Sequence, residues 1–219
     1  MVQKTREPAP PAKSDAPVEP KRRGRPRAYE PEIALGKALE LFRKGGFAAT
    51  SLDDLSAATG MNRPSLYGAF GDKRELYIKS YQRYRDDARA AMIDIFREEL
   101  PIRKRLQRIY AAALGIYLAG ETPRGCFTVM TAASEAVADA QIRAMVLEGF
   151  SELDKAFANC FRLGRQKGEL PASSDPQVLA QLASATIHTI AIRARAGVPR
   201  KELEAIVKGA IDVMIGAAG

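Results

Sequence analysis

The sequence predicts an all-α chain, and three observations carry that prediction. Apolar residues recur at spacings of three and four over most of the length, from Ile33 to Met214. Ser, Asn or Asp stands where several helices would begin, and Gly or Pro where they would end. The stretch Thr50–Lys73, TSLDDLSAATGMNRPSLYGAFGDK, concentrates both signals in two short helices joined by a turn. The expected organisation is a basic arm over residues 1–28, a three-helix helix-turn-helix unit over 29–75 and a larger helical domain over 76–219.

Residues 1–28 include six prolines and show no periodicity, so the arm is expected to be disordered in isolation. They also hold eight Lys/Arg against three Asp/Glu, which places +5 of the net charge of +8 in this segment. Its end, Lys21-Arg22-Arg23-Gly24-Arg25-Pro26-Arg27, resembles an AT-hook. Gly and Pro keep such a chain slim, and arginines such as Arg25 and Arg27 suit the negative potential of a narrow minor groove. The alternative is a solvated tail with only salt-sensitive phosphate attraction.

The first helix is expected over residues 31–44, with Ile33, Ala34, Ala38, Leu41 and Phe42 on its apolar face and Gly45-Gly46 as its stop. Thr50 or Ser51 caps the next helix, Asp53 and Asp54 suit its first turn, and Leu52, Leu55 and Ala58 form its stripe. Gly60 ends it, since Gly adopts the left-handed turn at least cost. Asn62 caps a third helix with Pro64 in its first turn and Leu66 and Phe70 inward. Two short helices around a Gly turn form a helix-turn-helix, whose second helix can enter the DNA major groove. Asn62, Arg63 and Ser65 are the candidates for base edges, Arg63 being suited to guanine. Residues 29–80 carry seven positive and seven negative side chains, so non-specific attraction to DNA is expected to come from the arm.

The spaced series Ala38, Leu41-Phe42, Gly46-Phe47, Thr50-Ser51-Leu52, Leu55, Ala58, Gly60-Met61, Leu66-Tyr67, Phe70, Asp72-Lys73 and Leu76-Tyr77 resembles the DNA-binding end of the TetR family of bacterial transcriptional repressors. Ala69 departs from it, standing where the family often has His, so no contact is carried over there. The resemblance implies phosphate contacts from Tyr67, Lys73, Thr50 and Ser51. It also implies a homodimer on a near-palindromic operator in double-stranded DNA, and a small apolar or amphipathic effector bound by the C-terminal part.

Asp72 caps a long helix running to about Glu99, which in TetR-like proteins links the DNA-binding unit to the regulatory core. Pro101 breaks the pattern before a helix over 102–118, and Glu121–Gly125 reads as a turn. Helices follow over 126–137, 139–166, 175–196 and 199–216. Val178, Leu179, Leu182, Ala183, Ala185, Thr186, Ile190, Ile192 and Ala194 give the penultimate helix an apolar girth wider than one stripe. TetR-like proteins pack the last two helices against their two-fold mate.

Tyr110, Leu114, Tyr117, Cys126, Phe127, Met130, Phe150 and Phe157 either line an effector pocket or fill an ordinary core. Cys126 is either a thiol activated at a helix start or an inert packed one.

Two cysteines make no disulfide framework, no apolar run approaches the ~20 residues of a membrane span, and no secretory signal is read, so a cytoplasmic protein is expected. His188 is the sole histidine and no phosphate-binding Gly loop occurs, so neither enzyme, metal site nor cofactor is expected. An effector-independent architectural DNA-binding protein and a transcriptional activator are the alternative functions.

Overall fold

The computed structural model describes residues 30–120 and 122–216, in which ten α-helices follow one another: α1 Pro31–Gly45, α2 Leu52–Thr59, α3 Arg63–Phe70, α4 Lys73–Arg97, α5 Ile102–Tyr117, α6 Phe127–Ala133, α7 Glu135–Ala138, α8 Ala140–Gln166, α9 Pro176–Arg195 and α10 Arg200–Ile215. The arm, including Arg25 and Arg27, lies outside the described residues. One expected helix is two: the segment over 126–137 breaks at Ser134, whose backbone leaves helical geometry (φ −120°, ψ −84°). Its hydroxyl donates to Met130 O at 2.8 Å, a bond within the preceding turn that competes with helix continuation.

Two apolar cores form. One gathers α1–α4 with Phe127, Ala136, Ile142 and Val146, so the packing of the N-terminal helices continues past residue 75 into α6–α8. The other joins α5, α8, α9 and α10 around Leu106, Tyr110, Phe157, Phe161 and Ile190. Phe127 is fully buried in the first, with the rings of Tyr77, Tyr81 and Tyr84 set edge-on at 5.4, 5.7 and 5.7 Å. Tyr77 in turn meets Phe42 and Phe47 edge-on, binding α4 to α1 and the turn after it. Such contacts combine large apolar burial with favourable ring geometry.

On α1 the structure reverses two expectations: Ile33 is exposed, and Leu39, absent from the expected face, is buried. The wide girth of α9 resolves into two faces. Ala180, Ala183, Ile187, Ile190 and Ala194 enter the core, whereas Val178, Leu182 and Ile192 stay exposed. On α10, Leu203, Val207, Ile211 and Met214 point inward and Val213 is 83% exposed.

The end of α9 also anchors the end of α1. Arg195 donates from Nη1 to Arg43 O and Arg124 O, both at 3.1 Å, and from Nη2 to Lys44 O at 3.2 Å. Gly125 (φ +63°) passes so close to α9 that a Cβ would lie 2.6 Å from Ala191 O, so this turn admits no side chain.

Candidate functional site

The N-terminal unit is built from local caps. The Ser51 hydroxyl accepts the Asp54 amide at 3.1 Å while the Asp54 carboxylate accepts the Ser51 amide at 2.9 Å, a reciprocal capping box. Hydrogen bonds from the Ser51 hydroxyl and then its amide hold the Asp54 carboxyl below its ordinary value. Gly60 turns the chain in the left-handed conformation (φ +74°). Asn62 Oδ1 accepts the Ser65 amide at 2.9 Å and starts α3. Leu66 and Phe70 are buried beneath it, and Lys79 Nζ donates to Phe70 O at 2.8 Å at its far end.

This scaffold leaves Asn62, Arg63, Pro64, Tyr67 and Gly68 exposed on α3, with Ser65 half-buried. Arg63 forks onto Asp53 Oδ1 at 2.7 and 3.2 Å, which bridges the first turns of α3 and α2. The pair is over half exposed on both sides, so its net strength is small and the guanidinium can exchange partners. Ser51 is exposed at the start of α2, but Thr50 is not. Thr50 is 4% exposed and its hydroxyl donates to Gly46 O at 2.7 Å, which closes the α1–α2 turn. The Lys73 ammonium lies 4.3 Å from the centre of the Phe47 ring, a cation–π contact that draws it toward the protein.

The expected effector residues also divide. A cavity of about 480 Å³ lies between α4, α5, α8 and α9. Tyr117, Cys126 and Phe150 line it; Tyr110, Leu114, Phe127 and Met130 do not. Tyr110 is core, its hydroxyl donating to Ala183 O at 3.1 Å, and Leu114 and Phe127 are sealed in packing. The α4 wall is the series Tyr84, Ala88, Met92 and Phe96, none of them among the expected effector residues. Their spacing of four marks one helix face, and nothing in that spacing separates a face that touches its neighbour from one that stops short. Ile187 and His188 complete the α9 side. Burial holds the His188 pKa below its ordinary value, with Asp154 opposing, so the ring is neutral at pH 7. Arg85, tied to Glu148 and Glu152 at 2.9 and 3.0 Å, stands beside exposed Arg89 and Lys155 in the polar part of the lining.

Cys126 reaches the cavity half-buried, with the Tyr84 hydroxyl 3.5 Å from its sulfur. The helix it precedes is seven residues long. Among the described residues no His/Cys/Asp/Glu group is placed to hold a metal ion, and no helix is long and apolar enough to cross a membrane.

A single helix serves both regions. The first turns of α4 pack under α3, and its later turns wall the cavity. The Tyr77 hydroxyl lies 2.8 Å from Thr131 Oγ1 and donates to Glu135 at 2.9 Å, joining α4 to α6 and α7. Arg74 reaches Asp139 at 3.0 Å and Gln141 at 3.0 Å, joining the start of α4 to the start of α8.

Residues 34–79 match the family described as bacterial regulatory proteins, tetR family, and residues 103–210 match the tetracyclin repressor-like C-terminal domain. The chain is 32% identical over 185 residues to the HTH-type transcriptional repressor ComR of Escherichia coli K12, covering 84% of this chain and 88% of that one. It is 33% identical over 106 residues to the repressor BdcR of the same organism, covering 48% of this chain and 54% of that one. Among solved structures, a cysteine mutant of the TetR family regulator CifR complexed with 26-bp double-strand operator DNA superposes with a TM-score of 0.77 at 28% identity, covering 86% of this chain and 98% of that one. A TetR family regulator from Cytophaga hutchinsonii, at 19% identity and a TM-score of 0.75, shares the fold. The exposed α3, the helices that hold it and the matches along both halves agree: the chain belongs to the TetR family of bacterial DNA-binding transcriptional regulators.

Proposed function

We propose that this protein represses transcription by binding a near-palindromic operator as a homodimer in the cytoplasm, and that a small apolar or amphipathic molecule in the cavity releases it. The observation that carries the reading is α4, which supports the reading helix at one end and walls the cavity at the other. A ligand that favours one placement of α4 shifts the population between two spacings of the reading heads, and operator affinity changes by its differential affinity for the two. Residues 29–75 bind DNA in this reading, and residues 76–219 dimerise and hold the effector. Arg25 and Arg27 enter the minor groove, and Arg63 leaves Asp53 for a base edge. Asn62, Ser65, Tyr67, Ser51 and Lys73 supply the remaining contacts. The exposed Val178, Leu182, Ile192 and Val213 meet their mates across the two-fold axis. The repressor names of the related ComR and BdcR support the sign of regulation.

The test is binding of purified full-length protein to duplexes from a randomised pool and to DNA upstream of its own coding sequence, against scrambled competitor at several salt concentrations. Sharp dimeric binding to a palindrome is expected, with loss when Leu182→Asp and Ile192→Asp split the dimer in sedimentation. Equal, steeply salt-dependent binding to both DNAs would favour the architectural reading. A selected palindrome also gives the assay in which apolar compounds are screened for release.

A further inference from the structure

One residue of α3 has no reason within the protein to be what it is. At 3.6 residues per turn, Leu66 and Phe70 mark the buried face, so Pro64 and Gly68 share the opposite, outermost ridge. Gly68 does not have positive φ, and a Cβ placed there would meet no atom within 4 Å. The neighbouring glycines differ: Gly60 and Gly71 occupy left-handed or strained turns (φ +74° and +83°) that favour glycine. In the middle of an eight-residue helix, glycine weakens the element relative to alanine. Gly115 and Gly209 are helical and equally unhindered, but Gly68 differs from them in lying on the outward ridge of α3, where an outside surface would meet it.

The residues beside the ridge reinforce this. Asn62 commits its oxygen to the Ser65 amide, and Arg63 is drawn sideways to Asp53. No long side chain stands over the backbone at 68, and the ridge is the Pro64 ring followed by bare main chain.

We infer that Gly68 is a specificity-determining close-approach position: its missing side chain lets the α3 backbone seat against base edges of the major groove and sets the depth at which Asn62, Arg63 and Tyr67 reach theirs. This rests on the operator-binding reading above. A methyl group at 68 lifts the helix outward. Base contacts are then lost over the whole face, while phosphate attraction, which depends on the arm and on distance only weakly, persists.

The experiment compares full-length wild type, Gly68→Ala, Gly68→Leu and the control Gly115→Ala, by thermal melting and by titration of a duplex that wild type selects from a random pool and of its scrambled version. Gly115 is also exposed and helical, with no atom within 4 Å of a built Cβ, but it lies on α5. Both alanine variants are expected to melt about 2–4 °C above wild type. Only the Gly68 variants lose affinity for the selected duplex, by about tenfold for alanine and more for leucine, with little change on scrambled DNA. Opposite signs in stability and specific affinity are the signature. Gly68→Ala binding the selected duplex as tightly as wild type would overturn the inference and leave the operator reading intact. A proportional loss on both DNAs would also overturn it, by making position 68 a phosphate-side seat. If wild type selects no duplex, the operator reading falls and this inference with it.

Discussion

From Ser51 to Glu75 three successive helices each begin on a side-chain oxygen that accepts a backbone amide, at 3.1, 2.9 and 2.8 Å, and the first two of them end on glycines with positive φ. Between α4, α5, α8 and α9, by contrast, about 480 Å³ is left unfilled inside walls that are mostly apolar side chains. The first region holds a surface in one geometry, and local signals over-determine it. The second holds a space, which no local signal specifies and which only the distances between long helices can produce. Rigidity at one end and room at the other are both obtained from amphipathic helices, and the difference lies in whether facing stripes meet.

Substitutions can break or sharpen that contrast. The largest effect is expected at the joint: Phe127→Ala removes the ring around which three tyrosines pack and should cost about 3–5 kcal/mol in chemical denaturation. A loss near 1 kcal/mol would mean that the joint collapses around the hole and the two regions are less firmly coupled than their packing implies. Next, one change made in both regions should diverge. Ala38→Leu enters a fully buried site in the N-terminal core and should destabilise by about 1–3 kcal/mol. Ala156→Leu projects from the cavity wall and should stay within about 0.5 kcal/mol of wild type or gain stability. Equal penalties would erase the distinction between filled and unfilled space. Ser51→Ala opens the capping box and should cost about 1 kcal/mol, read as a lower urea midpoint with unchanged slope.

The smallest effect concerns pH. The Arg74 guanidinium, followed by an α8 amide, holds the Asp139 carboxyl down to about 2 from an ordinary 3.8. A depressed folded-state value stabilises the fold above the unfolded value, and this contribution is lost as pH falls from 3.8 through about 2. Asp139→Asn should therefore be slightly less stable than wild type at pH 7, with the two urea midpoints converging toward pH 2. A gap that survives at pH 2 would assign the effect to helix capping instead of charge.

The same contrast explains what was legible in the sequence. Ser51, Gly60, Asn62 and Asp72 announced their helix boundaries because a cap and its amide lie within three residues of each other. Thr50 and Ser51 are chemically alike, but which hydroxyl caps α2 depends on the turn from Gly46, and that turn buries Thr50. Arg63 reads as a free cation until folding brings Asp53, ten residues earlier, against it. Tyr110 and Tyr117 lie seven apart on α5, nearly on one face; α9 meets the first at Ala183 and leaves the second on the cavity. The break at Ser134 carries neither Gly nor Pro to mark it.

The three acceptors of Arg195 have a consequence for the order in which the protein is completed. Arg43 O, Lys44 O and Arg124 O share one guanidinium, and Arg195 follows Arg43 by 152 positions. During synthesis α1 is therefore made well before the guanidinium that ties its end to α9. Until α9 has been made and docked, the end of α1 can satisfy those carbonyls only with water, and closing so long a loop is a late event in folding. A growing or truncated chain can thus carry the whole of α3 while lacking the tie between the ends of α1 and α9.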